Sequence, residues 1–151
     1  MKKSMKKDLI LNDKFSDIKK RLKETDISFC VIIAFYKKSV VLIKKSNLST
    51  FECPCGYKKK NETTLKAAKR VLFEKTGAKD FVIRYKGIYP DISKGEEYGK
   101  YYYADIKSFD RLKGSAADEM RCFNLLPPDE LFSYPQINKM LINQIKNEMD
   151  F

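Results

Sequence analysis

The chain has no histidine among its 151 residues. That removes the commonest general base and every Ser–His or Cys–His nucleophile pair, so any chemistry must run through carboxylates, Lys, Tyr, Cys or a metal ion. Long apolar stretches are also missing: the run Phe29–Phe35 is far shorter than the roughly twenty residues a membrane helix needs. After the basic start at Met1–Lys7, only Leu9, Ile10 and Leu11 precede Asn12 and Asp13, too few for the apolar region of a signal peptide. A cytoplasmic protein without a membrane partner is the expectation. Cysteine is sparse, and Cys30, Cys53, Cys55 and Cys122 form neither C-x2-C pairs nor Cys–His sets. Reduced, buried thiols are therefore expected rather than a disulfide framework or a zinc site.

What remains is enough for one folded domain: 43% of residues are hydrophobic, with 9 Tyr and 10 Phe. The charge is one-sided. Lys and Arg number 31 against 20 Asp and Glu, a net charge of +11. Residues 1–80 hold 21 basic and 9 acidic side chains, whereas residues 81–151 hold 10 and 11. Clusters such as Lys2–Lys3, Lys6–Lys7 and Lys58–Lys60 suit phosphates, on nucleotides or on RNA.

Phe15, Ile18 and Leu22 recur at helical spacing, so residues 1–26 read as a basic, helical N-terminal extension, and residues 27–151 as the domain. Ile27–Tyr36 and Val40–Ile43 read as strands, the first buried on both faces, and Phe51–Gly56 as a short extended piece broken by Pro54. Glu62–Thr76 is the clearest helix: Asn61 is placed to cap it, Leu65, Ala68, Leu72 and Thr76 repeat at core spacing, and Gly77 suits its left-handed end. Strands are expected at Phe81–Tyr89, Lys100–Ile106 and Met120–Leu126, with Tyr101, Tyr102 and Tyr103 alternating between faces. Ile137, Met140, Leu141, Ile145 and Met149 mark a C-terminal amphipathic helix. This order of elements predicts a mixed sheet covered by helices. At about 100° per residue, positions 71, 74 and 75 fall on one face of the first clear helix, opposite its core stripe.

From Gly56 the spacing is five residues to Glu62, seven more to Arg70, then Val71, Leu72, Phe73, Glu74, Lys75, Thr76, Gly77 and Ala78. This resembles the Nudix box, G-x5-E-x7-R-E-U-x-E-E-x-G-U with U aliphatic, and Phe51–Cys55 resembles the aromatic-Glu-Leu-Pro-Gly that usually leads into it. Gly56, Glu62, Arg70, Glu74 and Gly77 agree with the motif. The resemblance implies an α/β fold, the Nudix α/β/α sandwich with a mixed sheet, and hydrolysis of a nucleoside diphosphate linked to another group. It further implies three box carboxylates that gather Mg2+ or Mn2+ to neutralise the diphosphate and activate water.

The chain departs from that pattern at Val71 and Lys75, where the family has Glu. By correspondence Glu74 and the main-chain carbonyl of Cys55 remain as metal ligands, Arg70 orients a carboxylate, and Glu119 is the candidate base from outside the box. Lys58, Lys59, Lys60 and Lys75 are candidate phosphate contacts, while Gly56, Glu62 and Gly77 serve the motif's structure. One carboxylate and one carbonyl are a poor cage for Mg2+, which sheds its water reluctantly. The expectation is therefore a Nudix-fold protein with metal-dependent pyrophosphohydrolysis weak or lost, using Mg2+ or Mn2+ only if active. The alternative is a non-catalytic module that binds a nucleotide derivative, RNA or a protein, with a homodimer also allowed.

Overall fold

In the computed structural model of the protein, residues 19–91, 97–110 and 118–149 are described. The first strand, β1 (Ile27–Tyr36), is apolar along almost its whole length because both of its faces are covered. On one face Cys30, Ile32 and Ala34 pack against Ala67, Ala68 and Leu72 of helix α1 (Thr64–Thr76). On the other, Phe29, Ile33 and Phe35 join Ile137, Leu141, Ile142 and Ile145 of helix α2 (Pro135–Met149). A sheet thus lies between two helices, the expected α/β/α arrangement.

The remaining strands are β2 (Ser39–Lys45), β3 (Phe51–Glu52), β4 (Cys55–Tyr57), β5 (Ala78–Asp91), β6 (Glu97–Phe109) and β7 (Asp118–Phe123). Their order is β3-β2-β1-β6-β5, with β4 added on β1 and β7 on β2. Among the described strands β1 and β6 pair in parallel and the other strand pairs are antiparallel, so the sheet is mixed. One edge of β1 is shared. Its end at Ala34–Tyr36 pairs with β2, while Phe29–Val31 pair with β4, and the Ile32 N–H donates to the Pro54 carbonyl at 2.8 Å between them. That division sets β4 directly before the loop that enters α1. As expected, the three tyrosines alternate: Tyr101 and Tyr103 lie on the α2 side and Tyr102 on the α1 side, all buried.

Several local expectations differ from the structure, and β5 and β6 also run longer than Phe81–Tyr89 and Lys100–Ile106. Helix α1 begins at Thr64, and its cap is Thr63, whose hydroxyl accepts the Lys66 N–H at 3.2 Å. Asn61 instead takes a left-handed conformation, φ 64°, in the turn before it. The helix is also rotated relative to the expected core stripe: Thr64, Ala67, Ala68, Val71, Leu72 and Thr76 are buried, whereas Leu65 is exposed. Strand β7 starts at Asp118 and ends at Phe123, earlier than Met120–Leu126. Gly77 closes α1 as expected, at φ 77°, with its N–H on the Phe73 carbonyl. Of the N-terminal extension, Phe15 and Ile18 lie outside the described residues, and Leu22 packs with Ile27, Ile88 and Tyr98. Among the described residues no helix is long and apolar enough to cross a membrane.

Candidate functional site

The loop between β4 and α1 is organised by Arg70. Its Nε and one terminal nitrogen hold the two oxygens of Glu62 at 2.8 and 2.9 Å, and that same terminal nitrogen reaches the Tyr57 carbonyl at 2.9 Å. The other terminal nitrogen holds Glu74 Oε1 at 2.7 Å, one helical turn on. Glu62 also accepts the Lys59 N–H at 2.9 Å, so its carboxylate closes the loop from both ends. Hydrogen bonds from Arg70, then from the Lys59 backbone, hold the Glu62 carboxyl at about 2, well below the ordinary 4.5, and the same two acids push the guanidinium up. The spacing Gly56, Glu62, Arg70, Glu74 is thereby explained by geometry.

Val71 does not share Glu74's exposed face. It is 2% exposed and rests on β4, where a Cβ added at Gly56 would stand 2.8 Å from Val71 Cγ2. Gly56 is therefore needed to let α1 approach β4. Glu74 is exposed and engaged by Arg70, and the next residue, Lys75, is half-buried. Glu119 sits on β7, opposite Lys44, with its carboxylate on Arg121. Among the described residues no group of three or more His, Cys, Asp or Glu side chains is placed to hold a metal ion. An apolar side chain, one paired carboxylate and an ammonium make a donor set that does not fit a cage for several divalent ions.

A cleft of about 430 Å³ opens on the other side of the sheet, between β1, β3, β4 and α2. Phe29, Tyr89, Ile137 and Leu141 give it apolar walls, and Lys45 and Glu52, 3.7 Å apart, are among its polar residues. Cys53 and Cys55 both line it, joining it to the segment leading into the box; Cys53 is buried and Cys55 half-buried. Tyr134, largely exposed, also lines it. Asn138 is fully employed: its amide nitrogen donates to the Ser133 and Tyr134 carbonyls at 2.6 and 3.3 Å, and its oxygen accepts the Cys53 N–H at 3.5 Å. It fixes the wall rather than presenting a free polar group. The lining does not include Glu74, Arg70, Lys75, Glu119 or Lys58–Lys60.

Sequence reasoning missed Glu24. Its Oε1 accepts both the backbone N–H and the hydroxyl of Thr64, each at 2.5 Å, and its Oε2 pairs with Lys100 Nζ at 2.7 Å. Lys58 donates to the Glu24 carbonyl at 2.7 Å. Partial burial raises the Glu24 carboxyl, but bonds from Lys100 and Thr64 outweigh it and hold it at about 2. The end of the N-terminal extension is thus tied onto the start of α1, and the only hint in the sequence is an acid that can reach a helix N-terminus. Lys58, expected at phosphate, is occupied by this tie and only 15% exposed, while Lys59 and Lys60 are exposed. Burial pushes the Cys30 thiol up to about 12 and raises Cys53 as well.

No protein-family model matches the sequence, and no curated protein is similar to it at a significant level. Solved structures are similar in fold. The Bacillus subtilis pyrophosphohydrolase BsRppH superposes with a TM-score of 0.72 at 20% identity, over 86% of this chain and 85% of that one. The NUDIX domain of Shewanella oneidensis NrtR, solved with ADP-ribose, gives 0.64 at 15% identity over 89% and 97%. A C. elegans Ap4A hydrolase, solved as a binary complex, gives 0.64 at 15% identity over 82% and 99%. The protein is an α/β/α sandwich on a mixed sheet, with the loop and helix of the box on one face. Its fold is that of the Nudix hydrolases.

Proposed function

We propose that this Nudix-fold protein binds a nucleotide or nucleoside diphosphate derivative in the cleft between the sheet and α2, with metal-dependent hydrolysis weak or lost. One observation carries the loss of hydrolysis: Val71 is buried against Gly56 at a position where the resemblance expects a ligand carboxylate, while the remaining acid, Glu74, is neutralised by Arg70. Without several anionic oxygens in one place there is little to hold Mg2+ or to generate hydroxide at neutral pH. Binding does not depend on that cage. A cleft of this volume, with apolar walls and few polar groups, suits a base and sugar, and Lys45, half exposed and paired with Glu52 at 3.7 Å, would exchange that pair for phosphate. Structural neighbours crystallised with ADP-ribose, or named for Ap4A, indicate the class of probe.

The test is calorimetric titration of ADP-ribose and Ap4A in EDTA and in Mg2+, beside a phosphate-release assay over the same compounds, nucleoside triphosphates and triphosphorylated RNA. Binding that survives EDTA, without turnover, is expected. Mg2+-stimulated turnover abolished by Glu74→Gln would reject the reading.

A further inference from the structure

On the α1 side of the sheet, across from the cleft, a shallow groove of about 520 Å³ runs between α1 and the start of β5. Phe81 and Ile83 line it, packed on the same core as α1, and three lysines, Lys69, Lys79 and Lys107, lie beside them with Asp80. Lys107 pairs with Asp105 and Asp80 accepts a hydrogen bond from Ser108. Lys69 and Lys79, both exposed, have no ion-pair partner among the described residues. Lys66, also exposed, precedes Lys69 by almost one turn on the same side of α1.

The alternation of β5 carries this face onward from residues 81 and 83 to Tyr85. Tyr85 is 52% exposed; Tyr102 meets its ring edge-on at 5.9 Å, and Lys100 Nζ stands 5.3 Å from the ring centroid. Lys100 is itself paired with Glu24 at 2.7 Å, so the cations open to phosphate are Lys69 and Lys79 in the groove, and the half-exposed Tyr85 ring lies farther along β5. Together they offer the two parts that single strands require, charge for phosphates and a flat face for an unstacked base. From Lys79 to Tyr85 the strand spans about 20 Å, room for several nucleotides. A duplex keeps its base faces stacked and has no use for such a ring, and the groove's apolar floor, Phe81 and Ile83, is partly buried rather than a projecting apolar face that could enter a lipid surface.

We propose that this groove is a binding track for single-stranded nucleic acid, with phosphates on Lys69 and Lys79 and a base on Tyr85. It is separate from the cleft across the sheet and independent of the nucleotide reading.

Fluorescence anisotropy of the full chain with oligo(U) and oligo(dT) of about twenty nucleotides, over a salt series, tests it. The Lys69→Gln, Lys79→Gln double variant should bind more weakly and flatten the plot of log affinity against log salt by roughly 1.4, two phosphate contacts at about 0.7 each. Tyr85→Leu should weaken binding about fivefold or more without changing that slope. ADP-ribose binding should be unchanged in both variants. Equal affinity for the two oligomers assigns the contacts to base and phosphate, and a preference for oligo(U) adds the 2′-hydroxyl. The proposal is overturned if the double lysine variant binds like the parent, or if duplex RNA or phosphatidylserine vesicles bind as tightly as the single strands. Both lysines are exposed, so their arm of the test stands even if Tyr85→Leu fails to fold.

Discussion

Val71 of α1 packs on Gly56 of β4 so closely that a methyl group on residue 56 would stand 2.8 Å from Val71 Cγ2. A carboxylate at position 71 would enter the same buried contact. Val71→Glu combined with Lys75→Glu should therefore destabilise the protein in EDTA by on the order of 3 kcal/mol, the cost of an uncompensated buried charge. Mg2+ should recover part of that loss by drawing the longer acid at position 71 out of the contact with Gly56 toward Glu74 and position 75, three and four residues on along the helix. Thermal unfolding with and without Mg2+ measures both effects. Identical melting curves in the two conditions would count against placing residue 71 at a ligand position.

Acid should loosen the protein through Glu62 and Glu24. Both carboxyls sit at about 2 in the folded chain and return to the ordinary value when it unfolds. Between those values the unfolded state binds more protons, so the stabilisation is complete above about pH 5 and is lost as the pH falls toward about 2. Urea unfolding at about pH 5 and pH 3 should show a smaller drop for Glu62→Gln than for the parent. Equal drops would mean that the Arg70 node does not form in solution.

Glu24 acts on the helix from 40 residues away. Thr63 already satisfies the Lys66 N–H, and Glu24 takes the Thr64 N–H that would otherwise have no partner. Glu24→Ala should cost about 1 kcal/mol, as loss of a helix cap does. It should also speed amide exchange at Thr64 and remove the carboxylate that Lys58 faces at 3.8 Å, while the main-chain carbonyl that accepts the Lys58 hydrogen bond stays in place. Exchange at Thr64 as slow as in the parent would show that the tie is not what protects it.

These residues also mark how far the sequence could be read. The double-sided apolar pattern of β1 and the left-handed Gly77 are local or periodic signals, and each appears in the structure as expected; Glu62 and Glu74, spaced about Arg70, both bond to its guanidinium. The helix phase did not follow from periodicity, because Leu65 is apolar yet exposed while Thr64 is polar yet buried beneath Glu24. A contact between residues 24 and 64 reverses the choice that hydropathy alone makes. The cap moved from Asn61 to Thr63 for a related reason: Glu62 bonds back to Lys59, which turns the chain and delays the helix. The cleft was out of reach altogether, since its lining comes from β1, β2, β3, β4, β5 and α2, brought together only by the sheet order.

Alkylation of the four thiols tests the cleft directly. Cys30 and Cys53 are buried, their thiols raised by that burial, so they should resist iodoacetamide in the native protein. Cys55 lines the cleft and Cys122 lies exposed on β7, outside it. A ligand seated in the cleft should slow labelling of Cys55 and leave Cys122 unchanged, with protection approaching roughly a hundredfold at a concentration of about 100 times its Kd. Peptide mapping after timed labelling reads each position separately. Cys122 serves as the internal reference, so a general loss of reactivity through tightening of the whole fold is distinguishable from occupancy. If ADP-ribose or Ap4A binds in the calorimeter yet Cys55 reacts at its unliganded rate, the ligand sits elsewhere and the cleft is not its site.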